Sequence, residues 1–298
     1  MASPLLHLAA LEKLAAEPRD LPEPLARSLV ADTEYGRFGT LLPDLPAFEN
    51  PAAGLCRLAG LSGAPPPLFS RLFHGPRPVA VLLKAAELVA RGALVGRSAG
   101  QALLSGWIVH LALDRALDGQ AARLAAAGPD AGRPERAVRR VAHFQALLYL
   151  RERFGREPLG DAELVQWMRV AKRKGMPWAG VGGGLFEVTR LSLLEVYGQA
   201  PTRAQADAWV RGLFVASKLL ASRLGSRIGR TAAADGLKPA LYVGPGVDFP
   251  TALDRGLSLA REYLGHLDRL LARGDFGKRA RGRFLSGVPE NEAACAAA

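Results

Sequence analysis

The chain has 298 residues, 49% of them hydrophobic and only 7% aromatic, with a formal net charge of +11. That length buries a sizeable core, and a composition rich in Ala, Leu, Arg and Gly but poor in aromatics favours helices over a β-sandwich. The two cysteines, Cys56 and Cys295, exclude a disulfide framework and a Cys-rich zinc site.

Apolar residues recur at helical spacing along most of the chain. The periodicity predicts helices over 4–16, 23–34, 50–61, 77–91, 98–118, 134–154, 161–173, 184–197, 203–231 and 250–273. Segments such as Pro65-Pro66-Pro67, Gly75-Pro76 and Gly244-Pro245-Gly246 punctuate them. Asp161 and Thr202 carry the marks of helix N-caps. No alternating segment is long enough for a strand, so the expected class is all-α, a multi-helix bundle. A break near 155–160 divides it into a helical domain over 1–155 and a basic helical region over 156–288 packed on it, with a disordered tail over 289–298.

The first residues lack a basic segment, and Glu12 and Lys13 interrupt their apolar stretch, which argues against a secretory signal. The most apolar segment, over 102–113, contains His110 and is too short to cross a bilayer. The expectation is a cytoplasmic protein, peripheral at a membrane where its charge draws it there. The basic surplus favours anionic partners, a phospholipid surface before nucleic acid. Arg211, Lys218, Arg223, Arg227 and Arg230 form one basic stripe; Lys278, Arg279, Arg281 and Arg283 form a second run. A solvated face is the alternative for each. No aromatics are interleaved with them, which disfavours single-strand stacking.

Four of the five histidines, His7, His74, His110 and His143, lie in apolar, helix-like surroundings, together with Asp44 and Asp114. His110 and Asp114 are four residues apart and share a helix face with Leu103, Gly106 and Trp107. A carboxylate on such a face needs its charge satisfied, by a metal or by a hydrogen-bonded imidazole. Asp44 ends an apolar loop flanked by Pro43 and Pro46, a rigid way to fix a carboxylate. Imidazole nitrogens and carboxylate oxygens are the usual ligands of zinc.

These residues carry a resemblance. An N-terminal His7, the segment from Phe38 to Asp44, the pair Phe73-His74, the helix from Gly106 to Asp114 and a later His143 resemble, in order and spacing, the all-α zinc-dependent phospholipase C family. That fold is shared with single-strand-specific zinc nucleases. The resemblance covers roughly residues 4 to 150. It implies a helical domain holding one to three zinc ions, with metal ligands drawn from His7, Asp44, His74, His110, Asp114 and His143. Asp44, His74, His110 and Asp114 would form one site, and Asp114 would bridge to a second at His7. Hydrolysis of a phospholipid or related phosphodiester would follow, with metals stabilising phosphoryl charge and Asp44 as candidate general base. The chain departs from the family's pattern at two positions: Gln120 stands for a histidine and Leu147 for a carboxylate. A zinc-binding scaffold without turnover and a nuclease-like enzyme are the alternative expectations.

Overall fold

The computed structural model describes residues 4–58, 65–92, 94–126, 134–154, 181–220 and 240–290. The expected helix over 161–173 with its cap Asp161, the arginines 223, 227 and 230, and Cys295 lie outside the described residues.

The described residues are overwhelmingly helical. In chain order the helices are α1 (Pro4–Ala16), α2 (Glu23–Ala31), α3 (Thr33–Leu41), α4 (Pro51–Leu58), α5 (Leu68–Phe73), α6 (Pro78–Ala90), α7 (Arg97–Ala126), α8 (Pro134–Phe154), α9 (Val181–Tyr197), α10 (Arg203–Leu220), α11 (Phe249–Arg273) and α12 (Lys278–Gly287). Short 3-10 turns cover Pro18–Asp20 and Leu45–Phe48. A two-residue antiparallel hairpin, β1 (Val243–Gly244) with β2 (Val247–Asp248), forms around the Gly244-Pro245-Gly246 segment.

The centre is α7. Every residue from Ala99 to His110 is buried, so this half of the helix is enclosed on all sides and serves as the core. Helices α1, α2, α3, α6, α8 and α11 pack around it. α9 packs on α6, and α10 on α4 and the 45–48 turn, so one apolar cluster runs from Leu6 to Val288. The closest approach is that of α3 to α7. A Cβ on Gly106 would lie 1.9 Å from the Gly36 carbonyl oxygen, and one on Gly39 would lie 1.9 Å from the Leu103 carbonyl oxygen. Only glycine lets the two backbones meet there.

Four local features differ from the expectation. The helix over 23–34 ends at Asp32, whose backbone leaves the helical region (φ −125°, ψ 46°), and Thr33–Leu41 is a separate helix. The segment leading to Asp44 is therefore helical up to Leu41, not a loop. α7 runs eight residues past 118 and through Gly119, because Ala121 and Ala125 pack on Ala137, Val141 and Ala142 of α8. That burial outweighs the ~1 kcal/mol a glycine costs a helix. α12 has strongly polar composition, but Ala280 and Phe284, with Val288 just past its end, lie four apart in the core. Thr202 caps α10 as expected: its hydroxyl accepts from the Gln205 N–H, and the Gln205 side chain accepts from the Thr202 N–H.

Beyond α12, the Glu290 carboxylate accepts hydrogen bonds from the N–H groups of Val79 (2.9 Å) and Ala80 (2.7 Å), closing the N-terminus of α6. No helix among the described residues is long and apolar enough to cross a membrane.

Candidate metal centre

Four elements deliver five side chains to one point. His7 comes from α1, Asp44 from the turn after α3, His74 from the C-terminal end of α5, and His110 and Asp114 from α7. The glycine contact of α3 with α7 sets the height of Asp44 and brings the Thr40 carbonyl against the His110 ring. Phe73 packs edge-on against Trp107, with ring centres 5.5 Å apart, and both are fully buried. That contact holds the residues next to them in chain and in helix turn, His74 and His110, against one another.

Asp114 turns its two oxygens to different imidazoles. Oδ1 lies 3.2 Å from His7 Nε2; Oδ2 lies 3.3 Å from His110 Nε2 and 3.6 Å from His74 Nε2. Asp44 Oδ1 is 3.5 Å from His74 Nε2, and its Oδ2 is 3.7 Å from His7 Nδ1. The His7 and His110 rings stand 4.0 Å apart. Two sets of ligand atoms, one from His7, His110 and Asp114 and one from Asp44, His74 and His110, converge closely enough to hold a metal ion.

The ring orientations are fixed from behind. The Nδ1 atoms of His74 and His110 each lie 2.9 Å from a main-chain oxygen, of Ser70 and Thr40 respectively. A carbonyl only accepts, so each Nδ1 carries the proton and donates it. In the neutral rings both Nε2 lone pairs then face inward, 3.1 Å from each other. An N–H donated to a carbonyl is the usual support of a metal-binding histidine. Ser70 sits one turn before His74, so the helix itself brings its carbonyl to the ring. The Thr40 contact joins residues 70 apart in sequence, and no local signal marks it.

The buried carboxylates favour positive charge beside them. Asp44 and His7 are buried, and neither Asp44 oxygen and neither His7 nitrogen completes a hydrogen bond of good geometry. Burial works against the Asp44 carboxylate, yet His7, His110 and His74 around it hold it below its ordinary range. Burial likewise opposes ionisation of Asp114, but nearby positive charge and the His110 and His7 imidazoles facing its oxygens hold it well below. Burial would push the His7 imidazole down; the Asp114 and Asp44 carboxylates beside its two nitrogens overturn that and raise it to about 9. His110 is pushed down by burial and by the charge on His7. Two buried carboxylates thus draw positive charge into a pocket lined with imidazole nitrogens.

His143 does not belong to either converging set. It is buried on α8, its Nδ1 makes no hydrogen bond, and burial alone pushes its imidazole down to about 4. Gln120 is buried and accepts, at 3.4 Å, from the Gln145 amide, which also donates to the Leu241 carbonyl. Leu147 is buried. Asp118, one turn beyond Asp114, is pushed up from the ordinary carboxylate range by burial and by the Asp114 charge, with His74 acting against the rise.

Fold and site define a helical protein with a buried imidazole–carboxylate cluster able to hold a metal ion. Comparison of the chain with protein-family models, with curated proteins and with solved structures finds no match.

Proposed function

We propose that the protein is a metal-dependent phosphodiester hydrolase of the zinc phospholipase C kind, acting on a phospholipid or a related phosphodiester. The observation that carries this reading is the division of Asp114: one oxygen faces His7, the other faces His74 and His110. A carboxylate so placed suits two cations side by side. Separations of 3.1–3.6 Å from His74 Nε2 to His110, Asp44 and Asp114, and of 3.3 Å from His110 to Asp114, support zinc in the first position. Donors about 2.0–2.1 Å from a tetrahedral ion stand roughly 3.3 Å apart. In this reading His7 and Asp114 hold the second ion.

Bound zinc supplies Lewis-acid stabilisation of the charge that gathers on a phosphoryl group. The chain's own groups do the rest. Ser70 and Thr40 keep the His74 and His110 rings in one tautomer and one plane. Asp44 is ionised, as the candidate proton acceptor must be, and is fixed on a turn that its side chain does not help to cap. Phe73 and Trp107, packed edge-on against each other, join α5 to α7 beside His74 and His110.

A second reading, a zinc-binding scaffold without turnover, is favoured by the residues at 120 and 147. The Gln120 side chain is engaged with Gln145, and Leu147 offers no ligand atom. Elemental analysis of the purified full-length chain, with hydrolysis of bis(p-nitrophenyl) phosphate and of phosphatidylcholine before and after chelation and zinc reloading, separates the two. Zinc-dependent turnover that is lost in Asp114→Asn supports the hydrolase. Bound zinc with no turnover supports the scaffold. A chain that takes up no metal sinks both.

A further inference from the structure

A separate cluster of charge lies between the last two helices. α11 ends at Gly274, in the left-handed conformation (φ 61°), and the chain returns as α12. His266, Arg269 and Arg273 are three and four residues apart on α11, so they share one face. Arg283 and Ser286 of α12 stand opposite, around a cavity of about 280 Å³ with Leu270, Ala280 and Phe284 among its lining residues.

None of Arg269, Arg273 and Arg283 forms an ion pair with a carboxylate among the described residues. Their neighbour Arg281 behaves differently: its guanidinium pairs with Glu87 at 2.9 Å and donates to the Phe276 carbonyl. All three are exposed, and solvent screens them, but three like charges without a carboxylate partner line one cavity. The dipole at the end of α11 accounts for Arg273 alone. It does not account for Arg269 and Arg283 lining the same space.

The histidine is fitted to its place. A Cβ on Gly287 would lie 2.0–2.5 Å from three atoms of the His266 ring. The ring therefore occupies the position any side chain at 287 would need. Burial and the Arg269 charge, opposed by Glu262, push the His266 imidazole below its ordinary value, which favours the neutral ring with one N–H to donate.

We propose that this cavity is a binding site for a phosphate group, supplied by a free phosphate or by the headgroup of an anionic phospholipid. A carboxylate is satisfied by one forked guanidinium; a tetrahedral oxyanion with several charged oxygens can use several lining one space. The volume lies just below the range of drug-sized pockets and suits a headgroup or the bare anion. The site uses none of the metal-centre residues, and the inference does not depend on the hydrolase reading.

The test is calorimetric titration of the full-length protein with inorganic phosphate at fixed ionic strength. In parallel, the protein is cosedimented with phosphatidylcholine vesicles with and without phosphatidic acid. Phosphate is expected to bind one-to-one. Arg269→Gln and Arg283→Gln should each weaken it about tenfold, the scale of one charged hydrogen bond. Arg19→Gln, which removes the same charge from an exposed position outside both basic runs, should leave it unchanged. Gly287→Ala keeps every charge but displaces the His266 ring, and should weaken binding while melting stays near wild type. Binding of phosphatidic acid vesicles but not of free phosphate, with the same variant pattern, supports the site and assigns the group to lipid. The site is overturned by binding in neither arm, by binding that ignores Arg269 and Arg283, or by equal loss in Arg19→Gln.

Discussion

The Nε2 atoms of His74 and His110 lie 3.1 Å apart, while the opposite nitrogen of each ring is held 2.9 Å from a main-chain carbonyl. Two neutral imidazoles in this posture aim lone pair at lone pair. Only a shared proton or a cation between them makes the contact favourable, and the Asp44 and Asp114 carboxylates beside it select positive charge.

Asp114 is the residue on which this balance depends most. Asp114→Asn keeps the shape and removes a charge that faces three histidines. We expect the variant to lose bound metal. A metal present at a hundred to a thousand times its Kd stabilises the native state by about 3–4 kcal/mol. Chelator should therefore lower the melting temperature of the wild type and leave that of Asp114→Asn unmoved. A wild type indifferent to chelator would mean that Asp114 serves only to hydrogen-bond its histidines.

His74 and His143 should behave differently on removal. His74→Ala takes a ligand atom from the centre of the cluster, so metal content should fall. His143→Gln changes a buried ring outside both converging sets and should leave metal content as it was. Equal metal loss in the two variants, both shown to be folded by circular dichroism, would place His143 among the ligands after all.

Gly106 should tolerate no side chain. An added methyl would sit 1.9 Å from the Gly36 carbonyl oxygen and 2.7 Å from the Thr40 nitrogen, both backbone atoms. α3 must move away from α7, and the Thr40 carbonyl moves with it. Overpacking of this kind costs about 1–3 kcal/mol or more. Denaturant unfolding of Gly106→Ala should show that loss together with weaker metal binding. A loss of stability with metal affinity unchanged would separate the helix contact from the site.

His143 gives the fold a pH dependence of its own. Its imidazole is neutral in the folded protein down to about pH 4, whereas the unfolded chain takes up that proton near pH 6.5. Between these values the unfolded state binds more protons, so stability falls as pH falls. The full loss from neutral pH to below 4 is about 3 kcal/mol for this shift. Measured on Asp114→Asn, where metal release cannot contribute, His143→Leu should flatten that part of the profile. An unchanged slope would assign the acid sensitivity to other groups.

Much of this protein could be read from its sequence for a physical reason. Amphipathic periodicity and Pro/Gly punctuation are local, and they set α1, α6, α8 and α11 to within a residue or so. The HxxxD spacing of His110 and Asp114 is also local, since any helix puts those residues on one face. The order and spacing of His7, Asp44, His74, His110, Asp114 and His143, through the resemblance they carry, nominated all six as ligands, and five of them meet. What the sequence alone could not decide depends on approach across the fold. Asp32 ends α2 and frees α3 because α3 has its own packing surface on α7. The Gly39 and Gly106 positions in the two motifs gain their reason only when the backbones touch. The Thr40 carbonyl behind His110, the exclusion of His143 from the converging sets, and the meeting of His266 with Arg283 join segments distant in sequence or in turn. A one-dimensional pattern carries spacing along a helix; which carbonyl, charge or glycine lies opposite is fixed only when helices pack.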